Sequence, residues 1–99
     1  MYFFKKGGSI VKNLGQYIRE QRESHELTIE ELSKRTLISP AVIKDLEAGK
    51  FDRYSGEEAY VKMYLKKITQ ALEMDTADVT RQYVELTKEI ELERIKEIE

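Results

Sequence analysis

Two helix-start signals stand eleven residues apart near the middle of the chain, and they constrain its fold more than any other feature. Thr28-Ile29-Glu30-Glu31 has the pattern of a capping box, in which a hydroxyl and a carboxylate satisfy the free amides of a first helical turn. Ser39-Pro40 pairs an N-cap residue with a proline, which lacks only an amide that the helix does not use there. The residues just before Ser39 leave room only for a turn. The pattern predicts two short helices, at residues 29–35 and 40–48.

Three further helices are predicted around this pair, because apolar residues recur at three- and four-residue spacing. Helix 1 covers residues 11–24, helix 4 covers residues 56–73, and helix 5 begins near Ala77. Gly49 supplies a left-handed stop after helix 3. The predicted fold class is therefore all-α, a five-helix bundle that contains a helix-turn-helix and has a long helix 4.

Composition narrows the classes of function. The chain has 99 residues, which is the size of one domain, and it has no cysteine, so disulfides and thiolate metal sites are excluded. Its net charge is -2 and its pI about 5.6, whereas dedicated nucleic-acid-binding domains usually have a pI above about 9. No apolar run approaches the roughly 18–20 residues that a membrane span needs.

The two ends are predicted to flank a domain at residues 11–86. Residues 1–10 are a flexible leader that ends in a Gly-rich break. They are either translated sequence ahead of a native start at Val11, since the codons before it can form a ribosome-binding site, or a natural tail. Residues 87–99 are a charged helical tail that continues helix 5 or frays.

The sequence offers no catalytic, cofactor-binding or metal-binding residues. His25 is the single histidine and stands among polar neighbours at a helix end. Adjacent carboxylates such as Glu30 with Glu31 point in different directions on a helix and do not converge on one substrate. No Gly-rich phosphate loop or metal-ligand spacing is present. We therefore predict no enzyme activity, no cofactor and no small-molecule substrate.

Residues 14–49 carry a recognisable pattern: Leu14-Gly15-x-x-Ile18, Arg22, Leu27-Thr28-x-x-Glu31-Leu32-Ser33, Ile38-Ser39, Ile43 and Leu46-Glu47-x-Gly49. It resembles the helix-turn-helix of the phage-repressor (Xre-like) superfamily, which implies a repressor-like bundle. Glu47-Ala48-Gly49-Lys50-Phe51-Asp52 followed by Tyr60-x-x-x-Tyr64-Leu65-Lys66 resembles RodZ, a bacterial cell-shape family, over roughly residues 13–86. Glu26 and Leu37 stand where these families commonly have Gly.

The resemblance implies roles for two groups of residues. Arg22 and Glu47 match a structural ion pair that joins helix 1 to the end of helix 3. Tyr60 and Tyr64 match helix-4 aromatics through which RodZ contacts the actin-like protein MreB, and Lys67 lies beside them. The favoured partner is thus an actin-like cytoskeletal or division protein, met in the cytoplasm, with a membrane tether only through a span beyond Glu99. Periodicity alone favours a different arrangement, in which at least one of the two rings packs against helix 5.

The alternative is a DNA-binding transcriptional regulator of the Xre type. In such proteins the start of the second helix of the motif reads base edges. The matching residues are Ser39, Pro40, Ala41, Lys44 and Asp45. Only Ser39 and Lys44 can grip DNA, and we expect Asp45 to repel phosphates. Because charges on helices 2 and 3 cancel, little counterion release is available to drive binding.

Overall fold

The computed structural model describes residues 14–98, and these form five α-helices and one 3-10 turn with no strand among them. The elements are α1 (Leu14–Ser24), α2 (Ile29–Thr36), α3 (Pro40–Glu47), the 3-10 turn (Phe51–Tyr54), α4 (Glu58–Ala71) and α5 (Thr76–Ile98). The predicted all-α bundle with a central helix-turn-helix is confirmed. The predicted leader, residues 1–10, and the proposed start at Val11 lie outside the described residues.

Helix α2 begins with the capping box that the sequence predicts. The Thr28 hydroxyl accepts a hydrogen bond from the Glu31 amide at 3.0 Å, and the Thr28 amide donates to the Glu31 carboxylate at 2.8 Å. These bonds stabilise the ionised carboxylate and lower the pKa of Glu31 from its ordinary value of 4.5. Helix α3 begins in the predicted way as well, with the Ser39 hydroxyl accepting from the Val42 amide at 3.3 Å.

The capping box makes stability depend on pH. Because folding lowers the pKa of Glu31, its stabilising effect is complete above pH 4.5 and is lost as the pH falls through the lower folded value. We expect Glu31→Gln to reduce the free energy of unfolding at pH 7 and the gap from wild type to close towards pH 3. Urea titrations of both proteins between pH 3 and 7 measure this. A gap that stays constant on acidification would show that the carboxylate charge contributes nothing.

The helices enclose one core. Helix α1 packs against α3, α2 packs against both α3 and α4, and α5 lies along α4. The buried apolar side chains are Leu14, Ile18, Leu27, Leu32, Ile38, Ile43, Leu46, Phe51, Val61, Leu65, Ile68, Leu72, Val79 and Tyr83. The rings of Phe51 and Tyr83 meet at a centroid distance of 5.8 Å, which attaches the 3-10 turn to α5.

Gly15 allows α1 and α3 to approach more closely than any other residue would permit. A Cβ at this position would lie 2.4 Å from the Leu46 carbonyl oxygen and 2.6 Å from that of Glu47. Both atoms belong to the backbone of α3, so they cannot rotate away. The glycine in the middle of the Leu14-Gly15-x-x-Ile18 pattern is therefore required by helix packing.

Three helices end in a left-handed residue that is not glycine. Glu26, Leu37 and Glu73 have φ angles of 59°, 62° and 57°. Glu26 and Leu37 are the two positions at which the resembling families commonly have Gly, the residue that takes this conformation without steric cost. Gly49 has φ 77° and provides the predicted stop after α3. At Glu26 and Leu37 the chain therefore takes the conformation that glycine favours, with a residue other than glycine.

Helix 4 is shorter than predicted, and helix 5 is long. The prediction for helix 4 was wrong at both ends, because Gly56 takes φ 86° in a turn and Glu73 is left-handed, so neither belongs to the helix. Helix α5 continues to Ile98 across the boundary predicted after residue 86, with Ile90 still packed against the core. Within residues 14–98, each helix is too short or too polar to cross a membrane.

Candidate functional site

Arg22 and Glu47 form a buried clamp across the helix-turn-helix. The Arg22 guanidinium donates to the two carboxylate oxygens of Glu47 at 2.7 and 3.0 Å, and a third bond of 2.8 Å reaches the Leu27 carbonyl. Both side chains are less than a tenth exposed. The hydrogen bonds to Glu47 raise the pKa of Arg22 above its ordinary value. The clamp joins α1, the loop before α2 and the end of α3, so it serves the fold.

The candidate DNA-facing residues lie at the start of α3. Ser39, Pro40, Ala41 and Lys44 are exposed, whereas Asp45 is half-buried. The Asp45 carboxylate accepts hydrogen bonds from the Arg53 guanidinium at 3.1 Å and from the Tyr54 hydroxyl at 2.8 Å. We expected this carboxylate to face a duplex and repel it. The positive charge of Arg53 lies beside this carboxylate and offsets its negative charge, which the sequence pattern does not reveal.

The hydrogen bond from the Tyr54 hydroxyl to Asp45 attaches the 3-10 turn to α3. Burial, aided by the hydrogen bond to Asp45, raises the pKa of Tyr54 to about 12. The raised pKa extends to higher pH the range in which the hydroxyl is protonated and donates to the carboxylate. This contact and the Arg53 ion pair attach the 3-10 turn, which precedes α4, to α3.

A second surface lies on α4, and we call Tyr60, Met63, Tyr64 and Lys67 the α4 face. Met63 and Tyr64 follow Tyr60 by three and four residues, and Lys67 follows them by four and three, so all of them share one side of the helix. Tyr60 is 60% exposed and Met63 is 43% exposed. Tyr64 is half-buried and packs against the core, while Lys67 is exposed. The structure thus separates two rings that periodicity treats alike, because only Tyr64 lies at the margin of the buried side.

The α4 face includes a residue that the sequence analysis missed. Met63 lies three residues after Tyr60 and four before Lys67, and that spacing was sufficient to find it. Positive charge lies on the face in Lys67 and beside it in Lys66, which follows Met63 by three residues. The α4 face therefore combines exposed apolar side chains with cationic neighbours.

Leu37, in the turn between α2 and α3, is also exposed, at 86%. It lines a shallow surface groove of about 410 Å³ together with Arg35, Thr36, Lys67, Gln70 and Ala71. Lys67 belongs both to this groove and to the α4 face. The turn of the helix-turn-helix therefore borders the candidate docking surface.

The described part of the chain shows no arrangement suited to a metal ion. No three His, Asp or Glu side chains among residues 14–98 converge in a way that could hold one. His25 contacts the backbone: its Nδ1 lies 2.9 Å from the Gln21 carbonyl oxygen. The Nε2 of the same ring is 3.8 Å from the exposed Glu73 carboxylate. His25 therefore sits at the junction of two helix ends, outside both candidate surfaces.

Comparison with known families supports this architecture. A family model described as a helix-turn-helix domain matches residues 17–79, more than half of the chain. The matched segment extends from α1 through the helix-turn-helix and α4 to the first turn of α5. All-helical domains of this kind are typically non-enzymatic binding or regulatory units. Comparison with curated proteins and with solved structures finds no significant match.

Proposed function

The chain belongs to the helix-turn-helix domain family, and on that premise we propose that it is a non-enzymatic, RodZ-like adaptor that docks an actin-like filament or division protein on its α4 face. The observation that carries the proposal is the exposure of Tyr60. Such a module acts in the cytoplasm at the inner face of the membrane, where a filament of this kind is bound.

The chemistry of the α4 face supports protein docking. Tyrosine is enriched at the energetic centres of protein interfaces, because it buries a large apolar ring and keeps a polar tip. Tyr60 presents such a ring to solvent, Met63 adds an adaptable apolar contact, and Tyr64 gives the face a rigid base in the core. The lysines of α4 favour an acidic partner and chiefly increase the association rate.

We expect Tyr60→Ala to weaken binding to filaments of the host's MreB by at least about tenfold, because a central interface tyrosine often contributes 2 kcal/mol or more. Co-sedimentation with polymerised filaments over a range of concentrations gives the Kd. Leu92→Ala is a control on a different helix, since Leu92 on α5 is 59% exposed. Equal binding by wild type and Tyr60→Ala would exclude the α4 face, and a wild type that does not sediment would exclude the function.

DNA binding is the second candidate, and one observation favours it. Asp45 is paired with Arg53, so the start of α3 presents the cation of Lys44 and the Ser39 hydroxyl without a free acidic neighbour in Asp45. A mobility-shift titration with host genomic fragments at moderate salt tests this function. If Lys44→Glu abolishes DNA binding and Tyr60→Ala leaves it intact, the adaptor function is wrong and the protein is a DNA-binding regulator.

A further inference from the structure

Leu37 has two energetically unfavourable features, and no contact within the described part of the fold compensates for them. Its φ of 62° places a bulky residue in a conformation that suits glycine, and its side chain is 86% exposed. Its backbone amide donates to the Ser33 carbonyl at 2.8 Å, a bond that any residue other than proline would make. The turn therefore needs the conformation of Leu37 and not its side chain.

The surroundings of Leu37 indicate what could cover it. Leu37 lines the shallow surface groove together with two cationic residues, Arg35 and Lys67. An apolar group beside two cations is complementary to an apolar pocket with carboxylates at its rim. Since Lys67 also belongs to the α4 face, a partner seated over Tyr60 and Lys67 is close enough to reach Leu37.

We infer that Leu37 is a second anchor for the protein partner: it inserts into an apolar, acid-rimmed pocket while Tyr60 and Met63 hold the same partner on α4. This rests on the proposed function and extends its surface from α4 to the turn of the helix-turn-helix. Burial of the leucine side chain on docking contributes a favourable free energy that compensates for these two features.

A second copy of the chain is a poorer occupant of this surface. A two-fold interface brings each patch against its own copy, so residue i meets j and j meets i. Arg35 and Lys67, the cations of the groove, would then be brought against a surface that carries the same positive charges. An acidic partner avoids this repulsion, and a self-associating chain would show it in its oligomeric state.

The test uses Leu37→Gly, which removes the side chain and keeps the turn. We expect the melting temperature to stay at or above that of wild type, because glycine adopts positive φ freely. We expect the Kd for MreB filaments to rise at least tenfold in the same protein. Leu37→Met, which retains an apolar side chain, should restore most of the binding, and Leu92→Ala should match wild type.

The outcomes separate this inference from the function on which it rests. If Tyr60→Ala loses binding and Leu37→Gly does not, the second anchor is wrong and the adaptor function stands. If wild type does not bind filaments, both are wrong. Sedimentation velocity adds a further result: a wild-type dimer that Leu37→Gly converts to monomer would assign the leucine to self-association and overturn the inference. Loss of DNA binding alone in Leu37→Gly would overturn it too.

Discussion

Arg22→Met is expected to lower the free energy of unfolding by about 3–5 kcal/mol, because it leaves the Glu47 carboxylate buried without its partner. The Glu47 side chain is only 5% exposed, and both its oxygens accept from Arg22. The substitution also removes the donor to the Leu27 carbonyl. In a domain of this size, such a loss corresponds to a fall in melting temperature of more than about 12 °C.

Urea denaturation and thermal melting monitored by circular dichroism measure this effect. Arg19→Met is the matched control on the same helix, since Arg19 and Glu23 are about 60% exposed and 3.9 Å apart. An exposed pair of this kind is worth less than about 1 kcal/mol. Arg22→Met/Glu47→Leu, which removes both buried charges, should recover part of the loss. Equal effects of Arg22→Met and Arg19→Met would contradict the role of the clamp.

Gly15→Ala is expected to destabilise the fold by about 3 kcal/mol, at the upper end of the range for overpacked sites. Intrinsic propensity predicts the opposite sign, because alanine in a helix is favoured over glycine by about 1 kcal/mol. The steric effect dominates, since the added Cβ would lie 2.4 Å from a backbone oxygen of α3. Helices α1 and α3 must then separate, and the Arg22–Glu47 clamp spans that same crossing.

Gly49→Ala provides the comparison for Gly15→Ala. A Cβ at Gly49 meets no described atom within 4 Å, but φ there is 77°. The expected cost is therefore conformational and amounts to about 1–2 kcal/mol. Chemical denaturation of the two variants ranks them, and a Gly15→Ala protein as stable as wild type would show that the helices can shift apart without loss.

Much of the helix-turn-helix follows from the sequence because its boundaries are set by local chemistry. Thr28 with Glu31 and Ser39 with Pro40 fix two helix starts through side chains within one turn of the backbone they cap. The 3.6-residue spacing of apolar residues predicts α1 and α5. The two ends of α4 are harder to predict from the sequence. Gly56 is predicted as the helix start but lies in a turn, and nothing near Glu73 predicts a left-handed residue.

The candidate site depends on contacts between distant residues, which local patterns do not contain. Tyr60 and Tyr64 are equivalent by spacing, and only the crossing of α4 with its neighbours makes one of them exposed. The sequence shows only the charge of Asp45, whereas its environment depends on Arg53 and Tyr54, which contact it from the 3-10 turn. Leu37 stood out only as a departure from a common Gly, and its proximity to Lys67 required the packing of α2 on α4.

The turn between α2 and α3 lies beside both candidate surfaces. Leu37 stands two residues before Ser39, where the potential duplex-reading surface begins, and it shares a groove with Lys67 of α4. The Asp45 contacts attach the 3-10 turn, which precedes α4, to α3. A protein that buries Leu37 would therefore lie directly beside Ser39 at the start of α3.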